Sequence, residues 1–390
     1  MRVIHVISSL APALGGPSKA CIEMARAVAA RGHTVEIYTT DFGLEGRVRA
    51  DGAPVADGAA AVRYFPVRWP REFKPSWPLY NALVRDLPRA DVVHLHSLYL
   101  FHDWATGRIC RRANVPYIVR PHGTLDPYIW RRHRARKRVM EWVFQNRVLR
   151  HAAALHYTTE EEMRLAAPYA QGACGVVVPL GVELDAYDSL PPADRFFAHH
   201  PETRGKRIIL FLSRLHEKKG LDILTAAFAR IVQKFPDAHL VLAGPDDGMG
   251  AKVDEWLRNA GVADKATRTG LIDGEEKGAA LAAASVFVLP SYSENFGIAV
   301  LEAMAAGLPV AISDQVNLWR EVERGGAGLV SPCDTDAFTG LLERLLGDPA
   351  AARRMGEAGR VLAREKFTWP RIAFALEALY EDVAARRSIR

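Results

Sequence analysis

The sequence predicts an α/β protein made of two Rossmann-like domains of similar size facing each other across a cleft, and three observations carry that expectation. The chain has 390 residues, which suits two domains better than one or four. Short β-rich runs alternate with helical patterns, the rhythm of a parallel sheet. The rhythm stops at a proline-containing stretch near residue 190 and then starts again.

The first strand is expected over residues 3–8, an apolar run interrupted by His5, and it leads to a Gly15-Gly16 loop. That run loosely imitates a secretory leader, but it is short and broken, so a buried strand is the better reading. A helix follows from about 17 to 31, with Pro17 at its start and Gly32 just past its end, each where a helix boundary favours it. Strands are expected at 34–40, 92–96, 117–120, 153–157 and 176–179, with a long basic helix from about 130 to 150. Residues 189–205, which open with Ser189-Leu190-Pro191-Pro192, lack periodicity and read as a linker. Beyond it, strands at 207–212, 239–243, 266–269, 286–289, 309–312 and 328–330 alternate with helices. A closing helix from about 369 to 386 is expected to pack back toward the first domain. The expected division is therefore 1–190, 203–370 and a returning helix at 371–390.

Composition excludes several classes. At 49% hydrophobic and 25% charged residues, the chain is not disordered, collagen-like or a coiled coil. No apolar run approaches the ~18–20 residues of a spanning helix. The four cysteines, Cys21, Cys110, Cys174 and Cys333, form no CxxC, which favours reduced thiols in a cytoplasmic setting over a disulfide framework or a zinc site. The formal charge of +6 is uneven: residues 1–200 hold 26 Lys/Arg against 19 Asp/Glu, and the remainder 25 against 26. Residues 108–150 alone carry 12 Lys/Arg against Asp126 and Glu141. Such asymmetry points to a polyanionic partner or an anionic surface.

Four segments carry candidate chemistry. In Ser293-Glu294-Asn295-Phe296-Gly297, followed by a helix that contains Glu302 about two turns in, two carboxylates eight residues apart are expected on one helix face, each ready to accept bonds from vicinal hydroxyls. The helix start beside them offers amides to an anion. The bare pattern equally describes a carboxylate capping a first turn and a solvated glutamate. Arg214 and Lys219, in a loop that ends at Gly220, form a cation pair suited to a diphosphate whose charge grows as a bond breaks. Gly15-Gly16-Pro17 opens a helix after the first strand and lets the backbone approach a phosphate. Arg120-Pro121-His122-Gly123 ends another strand. His94, His96 and His122 raise a metal reading, but no acidic partner completes a ligand set, and Asp334-Thr335-Asp336 reads as an acidic helix start. No metal is expected.

Glu294 and Glu302 closely resemble the E-x7-E signature of the retaining glycosyltransferases of family 4, which have the GT-B fold. The resemblance runs from the Gly-Gly loop to Phe367-Thr368-Trp369. It implies that Glu294 lies against the donor sugar, that Glu302 holds the nucleotide ribose, and that Asn295, Phe296 and Gly297 offer amides to sugar and phosphate. Arg214 and Lys219 match the family's phosphate clamp, Gly16 its glycine loop, and His122 the histidine beside the transferring sugar. Residues 240–250 and the turn Gly270-Leu271-Ile272 resemble its nucleotide pocket, with backbone near Leu271 meeting the base. The implied enzyme is a metal-independent retaining hexosyltransferase. It would move a sugar from a UDP- or GDP-sugar to a hydroxyl of a glycan or a polyprenyl or other lipid-linked acceptor, in bacterial exopolysaccharide or lipopolysaccharide synthesis. The alternatives are a GT-B epimerase or phosphorylase, or a non-catalytic carbohydrate or nucleotide-binding protein.

The basic segment Arg131, Arg132, Arg134, Arg136, Lys137 and Arg138, followed by Trp142 and Phe144, has the make-up of a helix that lies on an anionic bilayer. The same pattern serves a core face with a solvated basic face. In the resembled family this region often docks on membrane, which implies a cytoplasmic enzyme peripheral to the inner face of the cell membrane. Nucleic acid is not expected, since no RRM, KH or zinc-finger signature accompanies the charge.

Overall fold

The computed structural model describes residues 1–44, 46–70, 72–131 and 134–386. It divides into two compact units, Met1–Gly181 with Trp369–Arg390, and Val182–Thr368.

Unit 1 is built on eight strands: β1 (Arg2–Ser9), β2 (Thr34–Thr40), β3 (Pro54–Asp57), β4 (Ala60–Phe65), β5 (Val92–His96), β6 (Tyr117–Arg120), β7 (Ala154–Tyr157) and β8 (Gly175–Val177). Their order is β3-β4-β2-β1-β5-β6-β7-β8. All neighbours run parallel except the edge pair β3 and β4. Val3, Ile4, Val93, Leu95, Ile118 and Val119 are inaccessible to solvent, as expected for a sheet covered on both faces. Helices α1 (Gly16–Ala29), α2 (Trp77–Asp86) and α3 (Phe101–Ala113) connect the strands.

The helix Trp369–Ala385 belongs to this unit. Tyr380 donates from its hydroxyl to His94 Nδ1 at 2.8 Å, Glu377 pairs with Arg31 and with His33 Nε2, and a Cβ at Gly181 would fall 2.6 Å from the Trp369 ring.

Unit 2 holds β9 (Arg207–Leu212), β10 (Ala238–Ala243), β11 (Ala266–Gly270), β12 (Ala284–Leu289), β13 (Val310–Ser313) and β14 (Gly328–Ser331), all parallel, in the order β11-β10-β9-β12-β13-β14. Among the parallel strands of each sheet the order reverses at one place, beside β1 and beside β9. In open α/β sheets ligands bind at the C-terminal strand ends next to such a reversal.

Residues 189–205 are not a linker. They include the helix Ala193–His199 and the turn Pro201–Thr203, and they lie in unit 2. Pro191 packs so closely on the helix Gly274–Ala283 that a Cβ at Gly278 would come within 2.7 Å of its ring. The boundary falls at Val182 rather than 190, because the Val182 amide bonds Phe367 O at 2.7 Å and ties both ends of the unit together. The expected long basic helix is helical on either side of residues 132–133, over Pro127–Arg131 (α4) and Arg134–Met140 (α5), and carries a π-helical turn at Glu141–Gln145 before it ends as the helix Asn146–Arg150. The wider turn serves polar satisfaction: Gln145 Oε1 accepts the Tyr99 amide at 2.9 Å, while Glu141 Oε1 accepts the Tyr99 hydroxyl at 2.9 Å and the Trp130 indole N–H at 2.7 Å. Arg132 lies outside the described residues.

No helix among the described residues is long and apolar enough to cross a membrane.

Candidate functional site

In unit 2, β9 delivers a loop that ends at Gly220, whose φ is 65°. A Cβ there would sit 2.0 Å from Pro290 O, so only glycine lets this loop lie against the loop after β12. The Tyr292 amide bonds Lys218 O at 2.8 Å and closes the seam. This contact buries Lys219 and sets its ammonium on the Glu294 carboxylate. Burial alone would push the Glu294 carboxyl up. The charges of Lys219 and Lys218, with bonds from Lys219 Nζ and the Asn295 amide, outweigh that and hold it below its ordinary value.

Glu294 sits in the loop ahead of the helix, pinned on both sides: its amide bonds Gln315 O at 3.0 Å and its carbonyl accepts from the Asn317 amide at 3.0 Å. Gly297, at φ 86°, then turns the chain into the helix Ile298–Ala305. Glu302 is the fifth residue of that helix, little more than one turn in, so the two carboxylates share no helix face. They hold different cations: Glu302 Oε1 accepts from Lys277 Nζ at 3.0 Å. Phe296 is buried edge-on to Phe367, and Asn295 Oδ1 is buried without a hydrogen-bond partner among the described residues.

Arg214 is half-buried and bonds Asp247 Oδ2 at 2.6 Å. A Cβ at Gly244, with φ 145°, would fall 2.1 Å from Ser213 O, which brings the β10 loop onto the Arg214 loop. Leu271 is 71% exposed just past β11, and the Gly270 carbonyl before it accepts the Gly244 amide at 2.7 Å. Arg214, Lys219, Glu294 and the Asn295–Gly297 turn thus gather at the ends of β9 and β12. Lys277 was not picked out from sequence; a lysine on a helix with no motif around it gives no signal there.

Gly16 and His122 belong to unit 1. Gly16 opens α1 after Gly15, which takes φ 80°. His122 and Gly123 follow β6 with φ of 53° and 75°, and the Gly123 amide bonds Glu162 Oε1 at 3.1 Å. Behind His122 runs a row of buried histidines. His96 Nδ1 faces His122 Nε2 at 2.9 Å, His5 Nδ1 faces His96 Nε2 at 2.9 Å, and His156 Nδ1 faces His94 Nε2 at 3.2 Å. Burial above all, with the neighbouring Arg120 charge, pulls His5 down to about 3, and it is burial too that holds His94, His96, His122 and His156 well below the usual imidazole range, so all five are neutral.

Neutrality fixes one half of the row. His156 Nε2 faces Val178 O at 2.7 Å, and a carbonyl only accepts, so that nitrogen carries the proton. His156 Nδ1 then accepts from His94 Nε2, which leaves His94 Nδ1 to accept from the Tyr380 hydroxyl.

Arg120, 1% exposed, has no hydrogen-bond partner among the described residues on any guanidinium nitrogen, and burial pulls it down to about 10. One nitrogen of His5, one of His96 and Cys21 Sγ lie within 4.8 Å of one another, a different trio from the His94, His96 and His122 suggested by sequence. Both His96 nitrogens are already engaged by rings, and the Arg120 charge acts on His5 and Cys21, so this trio is a poor cation site. Asp334 caps the helix Thr335–Gly347, accepting the Ala337 amide at 2.9 Å.

In the basic segment, Arg131 lies in α4 and Arg134 in α5. Arg136 and Arg138 are exposed, and Lys137 Nζ donates to Ile129 O at 2.6 Å. On the same stretch Val139, Trp142 and Val143 are 62%, 86% and 56% exposed.

Comparison with known proteins matches residues 15–181 to the family "Glycosyl transferase 4-like domain" and residues 193–362 to "Glycosyl transferases group 1". An MMP alpha-(1->4)-mannosyltransferase of Mycolicibacterium hassiacum is 36% identical over 214 residues, 54% of this chain and 49% of that protein. A phosphatidyl-myo-inositol mannosyltransferase of Mycobacterium leprae is 33% identical over 56% of each chain, so the chain spans about half the length of these curated relatives. A mannosylfructose-phosphate synthase of Agrobacterium fabrum is 25% identical over 94% of this chain and 86% of its own. Among solved structures, sucrose-phosphate synthase from Thermosynechococcus elongatus superposes with a TM-score of 0.76 at 23% identity, covering 99% of this chain and 100% of that one. The Anabaena protein HepE, solved with UDP and glucose, gives 0.77 at 17% identity over 98% and 99%.

Proposed function

Because the chain belongs to the family 4 glycosyltransferases of the GT-B fold, we propose that it transfers a hexosyl group from a UDP- or GDP-sugar to a hydroxyl, with retention at the anomeric carbon. The observation that supports this most is the seam at the ends of β9 and β12, where Lys219 meets Glu294 and Arg214 stands on the same loop. The acceptor hydroxyl attacks the anomeric carbon from the face the diphosphate leaves. As the bond between that carbon and the diphosphate oxygen breaks, negative charge collects on the leaving group. Arg214 and Lys219 stabilise that charge, and a diphosphate oxygen takes the acceptor's proton. Fixed charge of this kind acts without reorganisation and is worth several kcal/mol in a water-poor site. Two protein cations supply the neutralisation that a divalent metal gives other enzymes, so turnover is expected to withstand EDTA. Glu294 orients the sugar and Glu302 the ribose.

Glu294→Ala is expected to lower transfer by about 100-fold or more with an unchanged circular dichroism spectrum; wild-type turnover in that variant overturns the assignment.

The acceptor side of the reading is a glycan or lipid-linked glycan in surface polysaccharide synthesis, handled by a cytoplasmic enzyme that docks on anionic membrane. Its support is the exposed trio Val139, Trp142 and Val143 beside Arg136 and Arg138, an apolar face with cations at its edge. Flotation on phosphatidylglycerol vesicles should fall several-fold in Trp142→Ser; equal flotation places the docking face elsewhere.

A further inference from the structure

Two helices of unit 2 start at the C-terminal ends of its strands and are tied to each other by an ion pair. The helix Gly274–Ala283 follows β11 and the helix Ile298–Ala305 follows β12. Lys277, in the first turn of one, donates to Glu302 Oε1 on the other at 3.0 Å. The pair therefore stands at the same rim as Arg214, Lys219 and Glu294, on the helix that follows the exposed Leu271.

The two side chains are 22% and 7% exposed. Charges drawn this far out of water lose about as much hydration as their attraction returns, so the pair does little for stability. Its placement calls for another purpose. One N–H of the ammonium goes to Glu302, and among the described residues no acceptor takes the other two. A group held beside the pair can use them. A carboxylate accepts hydrogen bonds and an ammonium donates them, whereas a hydroxyl does both. A vicinal diol suits such a pair: its O–H groups donate to the carboxylate while one hydroxyl oxygen accepts from the ammonium. A phosphate, which only accepts, is repelled by Glu302, and a nucleobase carries no diol. The ribose of a nucleotide has one.

We propose that Lys277 is a specificity-determining residue that reads the ribose of the donor nucleotide: its ammonium fixes the Glu302 carboxylate and donates to one ribose hydroxyl, so that ribonucleotides are held in preference to deoxy forms. The inference rests on the glycosyltransferase reading, which gives Glu302 to the ribose, and adds to it a residue outside the signature segments.

Titration calorimetry on the full chain would compare UDP and GDP with their 2′,3′-dideoxy analogues. For whichever base the wild type binds more tightly, the ribonucleotide should bind roughly 10–100-fold better than the dideoxy form, the range of hydrogen bonds to charged groups. Lys277→Met keeps most of the stem; it should weaken the ribonucleotide about tenfold or more and leave the dideoxy form within about twofold. Lys277→Arg, which keeps charge and donors, should restore most of the difference. An equal loss for both nucleotides marks a merely structural role and overturns the proposal, as does an unchanged ribonucleotide affinity. A second readout needs no variant to fold. In reductive methylation of the wild type, followed by peptide mass spectrometry, the ribonucleotide should slow modification of Lys277 several-fold and the dideoxy form, at equal occupancy, should not; equal protection by both overturns the contact. Wild-type binding without a ribose preference sinks this proposal alone. No binding of UDP or GDP at millimolar concentration removes the glycosyltransferase reading, and the proposal with it.

Discussion

Replacing Lys219 by Met keeps most of the buried stem and removes the charge that offsets Glu294. The two side chains are 6% and 19% exposed, so the remaining carboxylate would stand in a poorly hydrated place with its cation gone. Breaking a buried pair from one side costs roughly 3–5 kcal/mol; because Glu294 keeps some contact with water, the low end, about 3 kcal/mol, is expected. For a unit of this size each kcal/mol moves the midpoint by roughly 2–4 °C, which gives a fall of about 6–12 °C. Adding Glu294→Gln removes the stranded charge, so the double variant should recover more than half of the loss while remaining inactive. The pH dependence has a definite sign. In the wild type the Glu294 pKa is depressed, so its contribution is present above the ordinary value of 4.5 and is lost as pH falls through the folded value. In Lys219→Met burial, the largest influence, is opposed only by the Lys218 charge and the Asn295 amide and moves that pKa upward, so the penalty should be largest at neutral pH and shrink as pH approaches 4.5. Scanning calorimetry of wild type, both single variants and the double variant between pH 7.5 and 4.5 reads all of this. Equal midpoints for Lys219→Met and the double variant at neutral pH would refute the idea that the lysine is there to hold a buried carboxylate.

The histidine row makes unit 1 acid-sensitive. Its depressed pKa values mean that stability is whole above the ordinary imidazole value of 6.5 and is lost progressively as pH falls toward the folded values, His5 reaching only about 3. Each ring contributes about 1.4 kcal/mol per pH unit in that range, so the near-ultraviolet signal of unit 1 should collapse well before pH 4; a flat midpoint from pH 7 to 5 contradicts it. Gly220→Ala puts a Cβ 2.0 Å from Pro290 O on a backbone at φ 65°, so the seam must open. Nucleotide affinity is expected to drop at least tenfold with a midpoint loss of about 1–3 kcal/mol equivalent, and unaltered affinity shows that the seam does not set the site.

How far the sequence reaches is clearest in particular strands. Residues 34–40, 92–96, 117–120 and 207–212 coincide with β2, β5, β6 and β9, because buried parallel strands are continuous apolar runs closed by turn residues. The pair β3 and β4 gives no such run: Pro54, Asp57 and Gly58 interrupt it, and β3 is an edge strand whose residues are mostly exposed. The helix Ala193–His199 was hidden by Pro191 and Pro192, which also fit a helix start, and Phe196 is its one buried residue. The site followed the same division. Glu294, Arg214 and Lys219 were legible through motifs, and their loops do meet. What no spacing could reveal was partnership across the sheet: His5 read as a flaw in an apolar strand until the register set it opposite His94, with His96 opposite Arg120 on the next strand. The partner of Glu302, Lys277, lies 25 residues away in sequence and was invisible for the same reason.

The helix Trp369–Ala385 belongs to the unit whose other residues end at Gly181, and that has a consequence for synthesis. A ribosome must make all of Val182–Thr368 before this helix exists, which at ordinary elongation speeds takes roughly 10–40 s. Throughout that interval His94 Nδ1 has no hydroxyl to accept from, and the faces later covered by Trp369 and Tyr380 stay open on the nascent chain. Most of unit 1 therefore emerges early and is completed late. A chain released just after Thr368 carries an uncovered N-terminal unit together with a unit 2 that has every residue it needs.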